Sequence, residues 1–204
     1  GSTDGFLVKL FPDGQSTALS TYYGSNAFDY IQCIKFDDLN NMVIAGLSSS
    51  SSLPLPPGGN SGYFQNNIAL TNNGHSGFVS KFDNLDNLVW MTFISGENSV
   101  LTNSVPTTSP HSITFDNLYN FYISGLTNNE TSLLSCSPCT TNTTNDFPIC
   151  GPSGSTVTGN SGGASDVFVT AFNSDNYLLW GTLYGGAGSE DKLGYGNSIQ
   201  ISPV

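Results

Sequence analysis

The chain has 204 residues and a net charge of -11, with 9 % charged residues in which 4 Lys and no Arg face 15 acids. Four lysines scattered along that length cannot form a basic patch, so DNA and RNA are excluded as partners and an anionic membrane surface is disfavoured. No apolar run approaches the ~20 residues that cross a bilayer as a helix, so no membrane insertion is expected, and aromatics at 12 % within short β-branched runs exclude a disordered chain.

Surface polarity comes from Asn, Ser and Thr rather than from Lys and Glu, which suits strands and turns because these side chains compete with helical hydrogen bonds. No amphipathic helix is predicted. No signal peptide is apparent, so a mature protein or an excised part of one is expected. In chain order, Phe6-Leu7-Val8-Lys9-Leu10 has the period-2 alternation of a half-buried strand, and Pro12-Asp13-Gly14 turns it back. Leu19-Ser20-Thr21-Tyr22-Tyr23-Gly24 is a second strand and Cys33-Ile34-Lys35-Phe36-Asp37 a third. An Asx-type turn, Asp37-Asp38-Leu39-Asn40-Asn41, leads to a fourth, Met42-Val43-Ile44-Ala45-Gly46-Leu47.

The cassette then recurs. Phe78-Val79-Ser80-Lys81-Phe82 and Phe168-Val169-Thr170-Ala171-Phe172 repeat the first strand. Trp90-Met91-Thr92-Phe93-Ile94-Ser95 and Trp180-Gly181-Thr182-Leu183-Tyr184-Gly185 repeat the second, with Thr21, Thr92 and Thr182 in register. Ser112-Ile113-Thr114-Phe115-Asp116 and Ser198-Ile199-Gln200-Ile201-Ser202 repeat the third, and Phe121-Tyr122-Ile123-Ser124-Gly125-Leu126 the fourth.

The expected fold is therefore all-β, with four-stranded antiparallel blades of the β-propeller type. A single repeat region, 1–204, holds blade-like repeats at 4–47, 76–126 and 166–204, the last incomplete, separated by inserted loops 48–75 and 127–165. A β-sandwich or β-solenoid is the alternative, but a sandwich does not require one cassette to recur, and a solenoid usually has a shorter, stricter period. Alternation predicts Ile34, Ile113, Ile199, Phe36 and Phe115 in the core, with Lys35, Thr114 and Gln200 on the opposite side. Propellers close with about 4–8 blades, so these repeats are expected to belong to a larger propeller or assembly.

Catalytic groups are scarce. His75 and His111 are the only histidines, no further metal-ligand pattern accompanies them, and surface or turn roles are expected. No nucleophile elbow, phosphate loop or zinc-protease motif occurs. The acids Glu190-Asp191, Asp37-Asp38 and Asp83 with Asp86 could bind Ca²⁺, but turn chemistry requires Asp and Asn at such places anyway. No other cofactor is expected. Tyr22, Trp90, Trp180 and Tyr184 recur in register, as packing between blades would require, whereas Tyr63 and Phe64 lie in a loop and are candidates to touch a ligand. Cys136, Cys139 and Cys150 fall in one inserted loop, apart from Cys33 on a strand. Clustered loop cysteines without histidine point to a disulfide and an oxidising compartment, with Cys136–Cys150 or Cys139–Cys150 the preferred pairing. Asn129-Glu130-Thr131 and Asn142-Thr143-Thr144 are formal glycosylation sequons.

The pattern resembles the bacterial seven-bladed β-propeller repeat family, the SBBP repeats. The resemblance rests on Asp166-Val167-Phe168-Val169, Trp180-Gly181-Thr182-Leu183-Tyr184-Gly185-Gly186, Gly196-Asn197-Ser198-Ile199 and Phe121-Tyr122-Ile123-Ser124-Gly125-Leu126-Thr127. Asp146-Phe147-Pro148 and, more loosely, Leu53-Pro54 match the stretch between repeats. Leu19 stands where the other copies have Trp, and the cysteine-bearing loop departs from the family pattern. The resemblance implies a propeller fold, a secreted or cell-surface location beside adhesion modules, and no shared catalytic residues.

The function expected is that of a non-enzymatic structural or binding segment whose long loops make contacts. Its partners would be the remainder of a longer chain or other copies of itself, or a glycan or surface protein. An extracellular polysaccharide hydrolase or lyase and a self-assembling surface-layer or filament subunit are the alternatives.

Overall fold

A computed structural model describes residues 3–65, 74–96, 107–128, 147–149, 151, 165–186, 188 and 198–202. The described residues contain ten strands and no helix. They are β1 (Gly5–Leu10), β2 (Thr17–Tyr23), β3 (Asp29–Phe36), β4 (Met42–Ser48), β5 (Ser76–Phe82), β6 (Leu88–Ile94), β7 (Thr108–Phe115), β8 (Phe121–Thr127), β9 (Asp166–Phe172) and β10 (Leu178–Tyr184). All strand pairs are antiparallel, in a two-stranded sheet β1-β2 and two blade-like meanders, β3-β4-β5-β6 and β7-β8-β9-β10.

The repeat register is as the sequence predicts. Phe6, Phe78 and Phe168 pair with Tyr22, Phe93 and Leu183, and Thr21, Thr92 and Thr182 pair with Leu7, Val79 and Val169. The sheets, however, do not coincide with the repeats 4–47 and 76–126. Each four-stranded sheet joins the third and fourth strands of one cassette to the first and second of the next. Loop 48–75 therefore connects two neighbours within one sheet, β4 and β5, and loop 127–165 connects β8 and β9. Residues 198–202 carry no strand assignment, though Ile199 N–H donates to Ser112 Oγ at 3.4 Å.

One local device builds the turns of both four-stranded sheets. In β3-β4, Asp37 Oδ1 accepts the backbone N–H of Leu39 and of Asn41, and Oδ2 accepts the Asn41 amide. Asp83 and Asp116 do the same with Asn87 and Asn120, and Asn173 Oδ1 accepts from Asp175 and Tyr177. The residue before the last is left-handed in each: Asn40, Asp86, Tyr119 and Asn176 have φ of 63°, 65°, 61° and 70°. This is a type I turn closed by a left-handed residue, a common three-residue hairpin loop. The four turns lie at one end of the sheets, and the long connections leave from the other.

The middle sheet is covered on both faces, so β5 is buried throughout. Met42, Ile44, Phe78, Met91 and Phe93 pack against Leu7 and Tyr23 of the small sheet. The alternate residues Val43, Ala45, Val79 and Trp90 pack against Ile113, Phe121, Ile123, Phe168 and Phe172 of the last sheet. Two lysines at equivalent places reach across these interfaces. Lys9 pairs with Asp86 at 2.8 Å, and Lys81 donates to the Ser174 carbonyl at 2.7 Å while lying over the Phe121 ring. Burial of Lys81 pulls its pKa down, against the opposing charges of Asp37 and Asp175.

Coverage, not strand pattern, corrects the expected core. Ile113 is 6 % exposed, but its equivalent Ile34 is 47 % exposed and Phe36 is 41 % exposed; Phe115 and Ile199 are half-buried. β7 packs against β3, β4 and β5, whereas on the corresponding side β3 has a small contact with β1. For the same reason Phe6 and Tyr22 are exposed although Phe78 and Phe93 are buried, and Tyr184 is exposed although its equivalents Tyr23 and Ile94 are not. Truncation of Ile113 to Ala should cost about 2–5 kcal/mol, and Ile34→Ala less than about 1 kcal/mol. Urea unfolding of the two variants checks this; equal costs would mean that the β3 face is covered in solution.

Candidate functional site

Three features stand out among the described residues. The first is the open face at β1. Its free edge, which in β5 and β9 is paired to β4 and β8, borders a cleft of about 370 Å³ lined by Phe6, Val8, Tyr30 and Ile34, with Asp4 and Asp29 at one end. Phe6 and Tyr22 form an exposed ring pair 5.6 Å apart. The lining is about half polar and the cleft stands open, so it does not enclose a small molecule.

The second is a groove of about 310 Å³ between β3 and β7, at the end where the long connections leave. Gln32 and His111 occupy equivalent β-bulges there, between Ile31 and Cys33 and between Pro110 and Ser112. Ser109 Oγ donates to Gln32 Oε1 at 3.0 Å and lies 2.9 Å from His111 Nε2. A hydroxyl has one proton; with that proton on Gln32, Ser109 accepts from the Nε2–H of His111. The pair is then oriented opposite to a nucleophile and its base, and it offers hydrogen bonds rather than acyl-transfer chemistry. The other histidine, His75, has Nδ1 2.6 Å from Ser49 Oγ and supplies its carbonyl to Thr108 N–H, a structural role in joining two sheets.

The third is a pair of carboxylates. Asp29 is 1 % exposed, and its Oδ2 accepts both the N–H and the hydroxyl of Ser25, at 2.6 and 2.8 Å. Asp4 lies across Gly24 from it: a Cβ on Gly24 would stand 2.9 Å from Asp29 Oδ2 and 2.9 Å from Asp4 Oδ1. Nearby, Tyr23 shares a 2.6 Å hydrogen bond with Ser80, and burial raises its phenol well above the ordinary range, with the charge of Asp29 adding to the effect.

The loop aromatics are placed differently from expectation. Tyr63 is a core residue, 1 % exposed, packed on Phe172 at 6.0 Å, and its carbonyl accepts the indole N–H of Trp90 at 2.9 Å. Its backbone N–H donates to Asn176 O, so the loop is stitched to the turn of the next sheet. Phe64 is half-buried against the cluster of Phe78 and Met91. This corrects the reading of Tyr63 as a ligand contact: the loop runs along the β6 edge and inserts it between sheets. Phe147 does likewise against Phe168 at 5.2 Å, as Leu53 does beside Phe78.

Of the turn acids that could have bound Ca²⁺, Asp37 and Asp83 spend their oxygens on hairpin hydrogen bonds. Those from Asn87 hold Asp83 below the ordinary carboxylate range; Asp86 binds Lys9. Glu190, Asp191, Cys136, Cys139, Cys150 and both sequons lie outside the described residues. Cys33 is a half-buried free thiol, pushed up to about 12 by burial, which makes it a poor nucleophile. Among the described residues no three or more His, Cys, Asp or Glu side chains gather into a metal cluster. The Asp4–Asp29 pair was not singled out in the sequence; the signal available was that Asp4, shared with Asp166 of the third cassette, and Asp29 stand where the next cassette has Ser76 and Thr108. Compared with known proteins, the chain matches no family model and no curated sequence.

Proposed function

We propose that the chain is a structural and binding segment of a larger extracellular β-propeller of the SBBP-repeat type, and that the β1 edge is where the assembly continues. The observation that carries this is the contrast between equivalent strands. β5 and β9 are paired on the edge that β1 leaves free, and the faces beside them are buried where Phe6, Tyr22, Ile34 and Phe36 are exposed. The occupant that fits is a β-hairpin of the β3-β4 or β7-β8 kind, supplied by the same longer polypeptide. It would pair along β1, cover Ile34 and Phe36, and fill the cleft. A disulfide among Cys136, Cys139 and Cys150 belongs to this reading, as the mark of an oxidising compartment.

An isolated 204-residue chain with this face open should associate through it as its concentration rises. Ile34→Lys combined with Phe6→Lys should abolish that association in sedimentation velocity while leaving the fold intact. A wild-type chain that stays monomeric at its highest soluble concentration, or a double variant that associates equally, would refute the proposal. Antiparallel pairing by copies of the chain would instead give a defined dimer, and so would identify another copy rather than a longer polypeptide as the occupant.

A further inference from the structure

The buried Asp29 and the half-buried Asp4 are not both demanded by the fold, although an acid at the Asp4 position recurs in the third cassette as Asp166, facing Gly185. The same junction exists one cassette later, where Ser76, Ser95 and Thr108 occupy the positions of Asp4, Gly24 and Asp29. Both junctions have the same backbone: Thr3 pairs with Phe28 and His75 with Thr107 in isolated parallel bridges, and Asp29 N–H donates to Thr3 O as Thr108 N–H donates to His75 O. The second junction is closed by neutral groups, with Thr108 Oγ1 bonded to Thr127 Oγ1 at 2.8 Å. At the first, two carboxylates and a glycine replace them.

The replacements are mutually fitted. Gly24 has no Cβ where one would crowd both carboxylates, and the two oxygens concerned are no farther apart than twice 2.9 Å. Asp29 is 1 % exposed. Its Oδ2 takes two donors from Ser25, but its Oδ1 is buried and accepts no hydrogen bond, and Asp4 Oδ1 is buried and accepts none either. Among the described residues the one ion pair is Lys9 with Asp86, so no cationic side chain answers these acids. A buried carboxylate and a half-buried one beside it repel one another, and burial of such a charge is stabilised by pairing or by a metal ion.

We propose that Asp4 and Asp29 form a binding site for a hard divalent cation, calcium foremost, that locks the β1-β2 hairpin to the start of β3. Calcium suits the donors: carboxylate oxygens on a short strand end, beside a cleft that admits the water and carbonyl oxygens completing its six to eight ligands. The site lies at one end of the cleft beside the β1 edge and does not require that edge to be covered.

The test is thermal unfolding of the 204-residue chain in EDTA and in CaCl2, with calorimetric titration of Ca²⁺. At Ca²⁺ about a hundredfold above its dissociation constant, the midpoint should rise by roughly 5–10 °C, with one ion bound. Asp29→Asn, which keeps an acceptor for Ser25, and Asp4→Ser, which installs the residue of the second junction, should each lose the rise. Asp37→Asn, in a hairpin turn, should keep it. Terbium in place of calcium should luminesce on excitation of tyrosine, Tyr23 being adjacent, and calcium should quench it; this readout does not depend on how stable a variant is. An unchanged midpoint in the wild-type chain, or a rise that persists in both the Asp4 and Asp29 variants, would overturn the site.

Discussion

Replacing Trp90 by Ala should destabilise the chain by about 3–5 kcal/mol, among the largest effects of any single truncation. The indole is fully buried between the two four-stranded sheets. It meets Phe172 at 5.3 Å and Phe121 at 5.9 Å, both edge-on, and its N–H is bonded to the Tyr63 carbonyl. Truncation opens a cavity at the interface and also releases the loop that carries Tyr63 along β6. Trp90→Phe keeps much of the ring contact and should cost less, with loss of the bond to Tyr63 worth about 1 kcal/mol. Trp180 occupies the same repeat position on the uncovered face of the last sheet, half-buried and 6.1 Å from Tyr122. Its truncation to Ala should cost only about 1–2 kcal/mol. Urea denaturation of the variants measures the difference, and equal costs would contradict the assignment of Trp90 to a closed interface and Trp180 to an open face.

Gly125→Ala should be nearly as severe, at about 3 kcal/mol. A Cβ at this position would run into the Ser109 carbonyl oxygen and stand 2.7 Å from the Phe168 ring. The crowding is caused by the bulge in β7 between Pro110 and Ser112, which pushes backbone toward β8. Gly46 faces the Tyr30 carbonyl across the equivalent bulge of β3, so the glycine common to both fourth strands has one cause. Backbone cannot swing away as a side-chain tip can, so the substitution must flatten the bulge, breaking local pairing and displacing His111 from Ser109. Gly58→Ala, with nothing within 4 Å of its added Cβ, is the control and should be neutral within about 0.5 kcal/mol. A Gly125→Ala chain as stable as this control would show that the bulge is not held by close approach.

Strand positions, register and hairpin turns were legible in the residues because their causes are local. Alternation puts Phe78 and Phe168 at one register position wherever the sheet ends up, and an Asp or Asn that bonds its own turn, as Asp37, Asp83, Asp116 and Asn173 do, acts within five residues. The partition into sheets was not legible. A repeat has no intrinsic starting point, so four strands per cassette leave open whether β4 closes a sheet or continues into β5; hydrogen bonding across a long loop selects the second. Burial was equally undetermined: Ile34 and Ile113, or Trp180 and Trp90, are interchangeable in sequence and differ only in whether a neighbouring sheet covers them. Tyr63 looked like a loop aromatic and became core because the loop folds back between sheets. No local pattern links Asp4 to Asp29, and only the parallel bridge of Thr3 to Phe28 brings them to the same glycine. Local pattern sets what a strand is, but burial and charge pairing depend on what lies across an interface, and that follows from how whole sheets stack.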